Sequence, residues 1–418
     1  MLFLYRILIN FIVLISPIII FLRLIKKKEN FFRFREKFCF FSKKRVGGGK
    51  LIWFHGASVG ELQSIFPLLK KLEKNKNFSQ ILVTSNTLSS SKIMDKIKSK
   101  KIIHQFFPID SNFLTKKFLN YWKPSFVFFI DSEIWPNMIF NLKKRNIPTG
   151  LLNGRITKKT FNRWKIFSNF SKKIFSNILF CLASSNESKK YLKKLGIKHV
   201  KFFGNLKFSQ LENEKNEIDN NLKNFIRTKK VWCASSTHES EEKFCGNVHK
   251  IIKRKYKNLL TIIIPRHVER VNSIKNELQK LDLKVHIHAP KKKISNDTDI
   301  YIVNSYGKTK SFYNNCKTIF LGGSIINHGG QNPLEATRYG CKVLHGPNVH
   351  NFTEIYNFLK KNKMSFKIHN QNNLIKLLSK FLNENKNSKK IQNKLNMIGA
   401  KILDKTNSEI NLFFKNEL

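Results

Sequence analysis

Acidic residues are scarce in this 418-residue chain: 27 Asp and Glu stand against 78 Lys and Arg, a formal net charge of +51. There is no C-x-x-C pair. The six cysteines (Cys39, Cys181, Cys233, Cys245, Cys316, Cys341) follow no regular spacing, which argues against a zinc site and for buried thiols in a reducing compartment. No small-residue cleavage site follows the apolar run near the amino terminus, which speaks against a removable signal peptide. There is no arginine-rich tail either; the charge is spread as Lys mixed with Asn, Ile and Phe. A nucleic-acid-binding protein would gather Arg and aromatic residues on one face and bind with steep salt dependence. Without such a cluster, the charge reads as drift at exposed positions, with no nucleic acid partner. A surface this basic should nevertheless associate with anionic lipid.

What is present is a globular composition, 41% hydrophobic and 25% charged, and a length that suggests two domains. The run "ILINFIVLISPIIIFL" (7–22) is almost wholly apolar and is followed by Arg23, Lys26, Lys27 and Lys28. A full span takes ~20 apolar residues, and Asn10, Ser16 and Pro17 interrupt this one. It predicts a retained membrane anchor over 1–28, with the basic flank holding the following domain in the cytoplasm.

From Leu51 onward, short apolar runs alternate with helical stripes. "LIWF" (51–54) precedes Leu62, Ile65, Phe66, Leu69 and Leu72 at helical spacing, and "ILVTS" (81–85), "FVFFID" (126–131), "TGLLN" (149–153) and "ILFCLAS" (178–184) are further strand candidates. Such alternation indicates α/β architecture with a parallel sheet covered on both faces. The polar stretch 210–230 reads as a linker, after which the alternation resumes with "VWCAS", "LLTIIIP", "KVHIH", "DIYIV", "TIFLGGS" and "KVLHG". The expected organisation is a first domain over 29–209 and a second over 231–418, with ligands at the carboxyl ends of their strands.

Two segments carry the chemistry. "HGASVGE" (55–61) fits the G-x-S-x-G nucleophile elbow, which would make Ser58 a hydrolase nucleophile. It also fits a loop opening a helix whose first carboxylate, Glu61, serves as a base, or simply a glycine-rich turn with a cap. An elbow should follow several strands, whereas this loop follows the first strand of the soluble region, so Ser58 is the weaker choice. In "FLGGSIINHGGQNPLEATRYGCKVLHGP" (320–347) a strand ends at Gly322 and Gly323 and a helix opens at Pro333. Amides at such a helix start favour a phosphate, and Glu335 in its first turn could accept from both ribose hydroxyls.

Taken together with "DSEIWPN" (131–137), "NGRIT" (153–157), "GNLKF" (204–208), "STHESEE" (236–242), "PRH" (265–267) and "GPNVHNF" (346–352), these segments resemble, in order and spacing, the 3-deoxy-D-manno-octulosonic acid (Kdo) transferases. That resemblance implies the GT-B fold: two Rossmann-like domains facing each other across a cleft, behind an N-terminal anchor helix. It implies transfer of Kdo from CMP-Kdo to a lipid A precursor at the cytoplasmic side of the inner membrane. On the matching positions, Glu61 is the proton acceptor, and Asp131 and Lys207 stabilise the transition state. Pro265, Arg266, Tyr306, Gly307, Lys308, Asn332, Pro333, Leu334 and Glu335 contact CMP. Ser58, Gly60, Arg155, His238 and Gly323 lie in the same matching segments as secondary candidates.

The chain departs from the family twice. Asp131 stands where Glu is usual, and "NSYGK" (304–308) replaces a segment resembling D-T-M-G-E, so any carboxylate contact from that loop is lost. Displacement of CMP by a sugar hydroxyl needs a base, and the leaving phosphate needs cationic or amide partners. No metal is then required, and none is expected at the turn-like "DTD" (297–299). The alternatives are a membrane-associated serine hydrolase using Ser58 and a nucleic-acid-binding basic protein.

Overall fold

The computed structural model describes residues 1–210, 218–289, 293–384 and 388–417. It divides into two compact units, Met1–Leu211 with Met397–Leu418, and Glu212–Asn396.

In the first unit seven strands form a parallel sheet: β1 (Leu51–His55), β2 (Gln80–Ser85), β3 (Ile102–Phe106), β4 (Phe126–Ile130), β5 (Thr149–Gly154), β6 (Phe180–Ala183) and β7 (His199–Lys201). Their spatial order is β3-β2-β1-β4-β5-β6-β7. β1 and β4 are buried at every position, as expected of strands covered on both faces. Successive side chains point to opposite faces. Trp53, Val127 and Phe129 join one core with Phe118 and Trp122, while Phe126 and Phe128 project the other way.

On that second face Phe126 meets Phe414 with ring centroids 4.6 Å apart, and Phe128 meets Phe413 at 5.8 Å. Both partners lie on the long helix Ser388–Glu417. This corrects the expected 231–418 domain, because residues from Met397 belong to the first unit. Burying aromatic rings is worth ~1.5–3 kcal/mol per side chain, enough to draw the chain end back onto the first sheet.

The second unit repeats the plan with β8 (Lys230–Thr237), β9 (Leu259–Pro265), β10 (Val285–Ile287), β11 (Ile300–Ile302), β12 (Thr318–Leu321), β13 (Lys342–His345) and β14 (Ser365–Lys367). These are also parallel, in the order β10-β11-β9-β8-β12-β13-β14. The expected linker 210–230 is shorter than predicted. Residues 211–217 lie outside the described residues, but Asn220–Arg227 is a helix capped by Asp219, whose side chain accepts from Leu222 N–H. Leu222, Phe225 and Ile226, at i, i+3 and i+4, bury a stripe in the second core.

The strand order reverses between β1 and β4 in the first sheet and between β8 and β12 in the second, where β11 also lies inside β10. Loops leaving the carboxyl ends on either side of such a point diverge to opposite faces and leave a crevice. The expected anchor corresponds to the helix Leu2–Ile25, which is long and apolar enough to cross a membrane by length and composition.

Candidate active site

The loop after β1 leads into the helix Val59–Glu73, with Glu61 in its first turn. Ser58 is the N-cap, and a complete capping box forms: Ser58 Oγ accepts from Glu61 N–H at 3.4 Å, and the Glu61 carboxylate accepts from Ser58 N–H at 3.4 Å. The same carboxylate accepts from Ala57 N–H at 2.6 Å and from the Ser58 hydroxyl at 2.8 Å. The capping reading of this loop therefore holds for Ser58, whose hydroxyl is committed to Glu61. A Cβ on Gly60 would meet nothing within 4 Å, so that side of the turn is open.

Burial raises the Glu61 carboxyl to about 7; the nearby charges of Asp131 and Glu133 add to the rise, and the hydrogen bonds from Ser58 and Ala57 oppose it. A carboxylate titrating near neutrality is a suitable proton acceptor.

Across the reversal point, the loop after β4 supplies Asp131, which is buried and holds a left-handed φ of +58°. Its carboxylate accepts from Asn153 Nδ2 at 2.7 Å and pairs with Lys207 Nζ at 3.3 Å. Asn153, the residue before the end of β5, has φ +53° and its Oδ1 accepts from Leu206 N–H at 3.0 Å, so one side chain ties the loops carrying Asp131 and Lys207. Asp and Asn tolerate this region better than other residues, and such conformations cost ~1–3 kcal/mol each where the surroundings hold them. Arg155 donates its backbone N–H to Asp131 O at 3.0 Å.

Glu133, from the same loop, accepts from Trp135 Nε1 at 2.9 Å and lies 3.2 Å from His55 Nε2. The first unit thus brings together Glu61, Asp131, Lys207, Ser58 and Arg155. Asn153 and Glu133 sit among them, although sequence reasoning assigned neither a role; both lie inside matching segments, which is the signal that could have found them.

In the second unit the organising group is Glu241, fully buried in the first turn of the helix Glu241–Lys255. One oxygen accepts from His238 N–H at 3.0 Å and Gly323 N–H at 2.7 Å. The other accepts from Ser324 N–H at 3.1 Å and Ile325 N–H at 3.0 Å. Four backbone donors on one carboxylate fix the loops after β8 and β12 to each other. Close approach explains the glycines: a Cβ on Gly322 would lie 2.5 Å from Ser236 O, and Gly323 has φ +64°.

His238 lies 4.4 Å from the His328 ring and 6.0 Å from the His267 ring. Burial and the His328 charge hold its pKa below the usual histidine range, and its Nε2 is buried with no hydrogen-bond partner among the described residues. Ser240 is the N-cap of this helix, with no side-chain cap bond.

Pro265 ends β9, and exposed Arg266 donates its N–H to Thr237 O at 2.9 Å. Tyr306 is exposed and its hydroxyl donates to Glu269 at 3.3 Å, which places Tyr306, Gly307 and Lys308 beside the turn that follows Arg266. Gly330 N–H donates to Gly323 O at 2.8 Å, closing the glycine loop. The expected helix opening at Pro333 is short: Pro333 is the N-cap of Leu334–Arg338, and Asn332 Oδ1 accepts from Leu334 N–H at 3.1 Å. Five residues supply little dipole, so its contribution is that of a few local amides. Glu335 is half-buried in its first turn.

The "DTD" aspartates are occupied within the fold. Asp299 accepts from Lys284 N–H at 3.0 Å and pairs with Lys253, and Asp297 pairs with the Lys284 side chain. Among the described residues no cluster of His, Cys, Asp or Glu is placed to hold a metal. All six cysteines are buried and none is in a disulfide.

The family model for 3-deoxy-D-manno-octulosonic-acid transferase fits residues 32–210. The 3-deoxy-D-manno-octulosonic acid transferase of Rickettsia bellii is 33% identical over 365 residues, 86% of each chain. That of Haemophilus influenzae is 28% identical over 84% of each. Among solved structures, a UDP-N-acetylglucosamine 2-epimerase superposes with a TM-score of 0.61 at 13% identity, covering 90% of this chain and 98% of that one. At such identity the likeness speaks for the fold alone, and the fold is the GT-B α/β architecture that the sequence implied. Similarity over nearly the whole length of the transferases places the function as well: the chain belongs to the 3-deoxy-D-manno-octulosonic acid transferase family of glycosyltransferases.

Proposed function

We propose that the chain transfers Kdo from CMP-Kdo to a lipid A precursor by direct, inverting displacement, with Glu61 as general base. The observation that carries this reading is the Glu61 carboxyl, half-buried near Asp131 and Glu133 and raised to about 7. At that value it is available as a base at neutral pH and can hold the proton it receives. Lys207, paired with Asp131 at 3.3 Å, supplies positive charge where negative charge develops in the transition state. In the second unit Arg266, the loop 304–308 and residues 332–335 receive CMP. Cations and amides serve the leaving phosphate, so the reaction runs without a metal cofactor.

The net charge of +51 and the apolar helix Leu2–Ile25 support a location at the cytoplasmic face of the inner membrane, where a lipid acceptor would be met. The hydrolase alternative has less support, since the Ser58 hydroxyl is bound to Glu61 at 2.8 Å. The test is incubation of the full chain with CMP-Kdo and a lipid A precursor, with and without chelator, and mass spectrometry of the lipid. A mass gain of one or more Kdo units in both samples is expected. No gain would refute the transfer, and loss only with chelator would refute metal independence.

A further inference from the structure

The helix Leu2–Ile25 is in contact with the first unit along its whole length. Tyr5, Ile9, Val13, Ser16, Ile20 and Leu24 are buried or half-buried, and they recur three or four residues apart on one helical face. Both ends are fastened. Near the start, Tyr5 Oη donates to Asp110 at 2.7 Å, and Arg6 reaches Asn137 at 3.0 Å and Asn112 at 3.2 Å. Near the finish, Arg23 pairs with buried Glu29 at 2.7 Å, where Lys37 also binds at 2.7 Å. A helix of this length covers ~36 Å, all of it alongside the domain. The opposite stripe is apolar and open: Phe3, Leu14 and Phe21 are 74%, 75% and 62% exposed.

A spanning orientation would require this helix to leave the domain. Arg6 would then lose Asn137 and Asn112, and Asp110, 2% exposed, would lose the Tyr5 hydroxyl. An orientation in the plane of the membrane keeps every one of these contacts. Its rim suits an anionic leaflet: Lys26, Lys27 and Lys28 are exposed at the end of the helix, followed by Phe31 and Phe32 at 71% and 86% exposure. Lysines over a surface with aromatic and aliphatic side chains below it are the composition of an interfacial helix.

We propose that Leu2–Ile25 lies in the surface of an anionic bilayer, one stripe on the first unit and the other in the acyl boundary, and does not cross the membrane. The inference rests on the membrane association proposed above. Because the native cysteines are all buried, single Phe3→Cys, Leu14→Cys and Ile25→Cys variants of the full chain can be labelled selectively with a nitrobenzoxadiazole maleimide, with the unsubstituted chain as control. The labelled proteins are added to sealed vesicles of phosphatidylethanolamine and phosphatidylglycerol. Lipids carrying quenchers at the headgroup or the acyl end then report depth, and external dithionite reports sidedness. The three labels are expected at matching shallow depth and bleached to the same extent. A deep Leu14 label with the Phe3 label protected from dithionite would overturn the in-plane placement alone. Failure of the chain to sediment with the vesicles would overturn the membrane association and the placement with it.

Discussion

Glu61→Gln separates the ionised oxygen from everything else this side chain does. Glutamine keeps the length and one carbonyl oxygen for Ala57 and Ser58 N–H, so the start of the helix Val59–Glu73 retains most of its cap, while the proton acceptor is gone. Removal of a general base is expected to lower kcat by ~10²- to 10⁴-fold. Burial, reinforced by Asp131 and Glu133, takes the Glu61 carboxyl from an ordinary 4.5 to about 7. Between those values the folded protein binds the proton more tightly than the unfolded chain does, so stability falls as pH rises through the interval and the loss is complete above about 7.

A rise of that size corresponds to roughly 3 kcal/mol, an upper figure for a side chain that still touches solvent. Glutamine removes that cost. The variant should therefore melt above the wild type at high pH and level with it at low pH, by thermal denaturation followed at both ends of the range. Wild-type activity should rise as pH passes through about 7, and the residual activity of the variant should be flat. A variant with wild-type kcat would refute the base assignment; a variant no more stable than wild type at high pH would refute the burial account. Ser58→Ala supplies the contrast, costing about 1 kcal/mol of capping while leaving the base in place, whereas a serine hydrolase would lose all activity.

Two further substitutions probe the supports of the site. Glu241→Gln leaves four backbone donors facing one oxygen and an amide, and should destabilise the second unit by roughly 1–3 kcal/mol and raise KM for CMP-Kdo more than it lowers kcat; an unchanged KM would show that the loop it holds is not the donor loop. Asn153→Ala removes the bonds to Asp131 and Leu206 N–H, a loss of about 1–3 kcal/mol that denaturant melts should register, with kcat falling as Lys207 loses its placement; wild-type kcat would mean that Lys207 is held by other contacts.

The strands were legible because a parallel sheet buries both faces, which leaves uninterrupted apolar runs such as "LIWF" and "FVFFID". Glu61 was legible because a single loop carries it. Glu241 was not, because its four donors include three that lie 82 to 84 residues away in sequence, and nothing local distinguishes a clamping carboxylate from an acid at a helix start. Asn153 was missed for the same reason, since Leu206 is 53 residues distant. The helix Asn220–Arg227 was hidden by the polar residues around its short apolar stripe, and hydropathy could not tell a helix lying along a domain from one leaving it.

The return of the chain end to the first sheet separates the order of synthesis from the order of folding. Phe413 and Phe414 cover Phe126, Phe128 and Phe180, yet the whole second unit, Glu212–Asn396, emerges from the ribosome between them. In topological terms the second unit is an insertion within the first. While it is being made, the aromatic face of Phe126, Phe128 and Phe180 lacks the cover of Phe413 and Phe414, which comes only with the helix Ser388–Glu417.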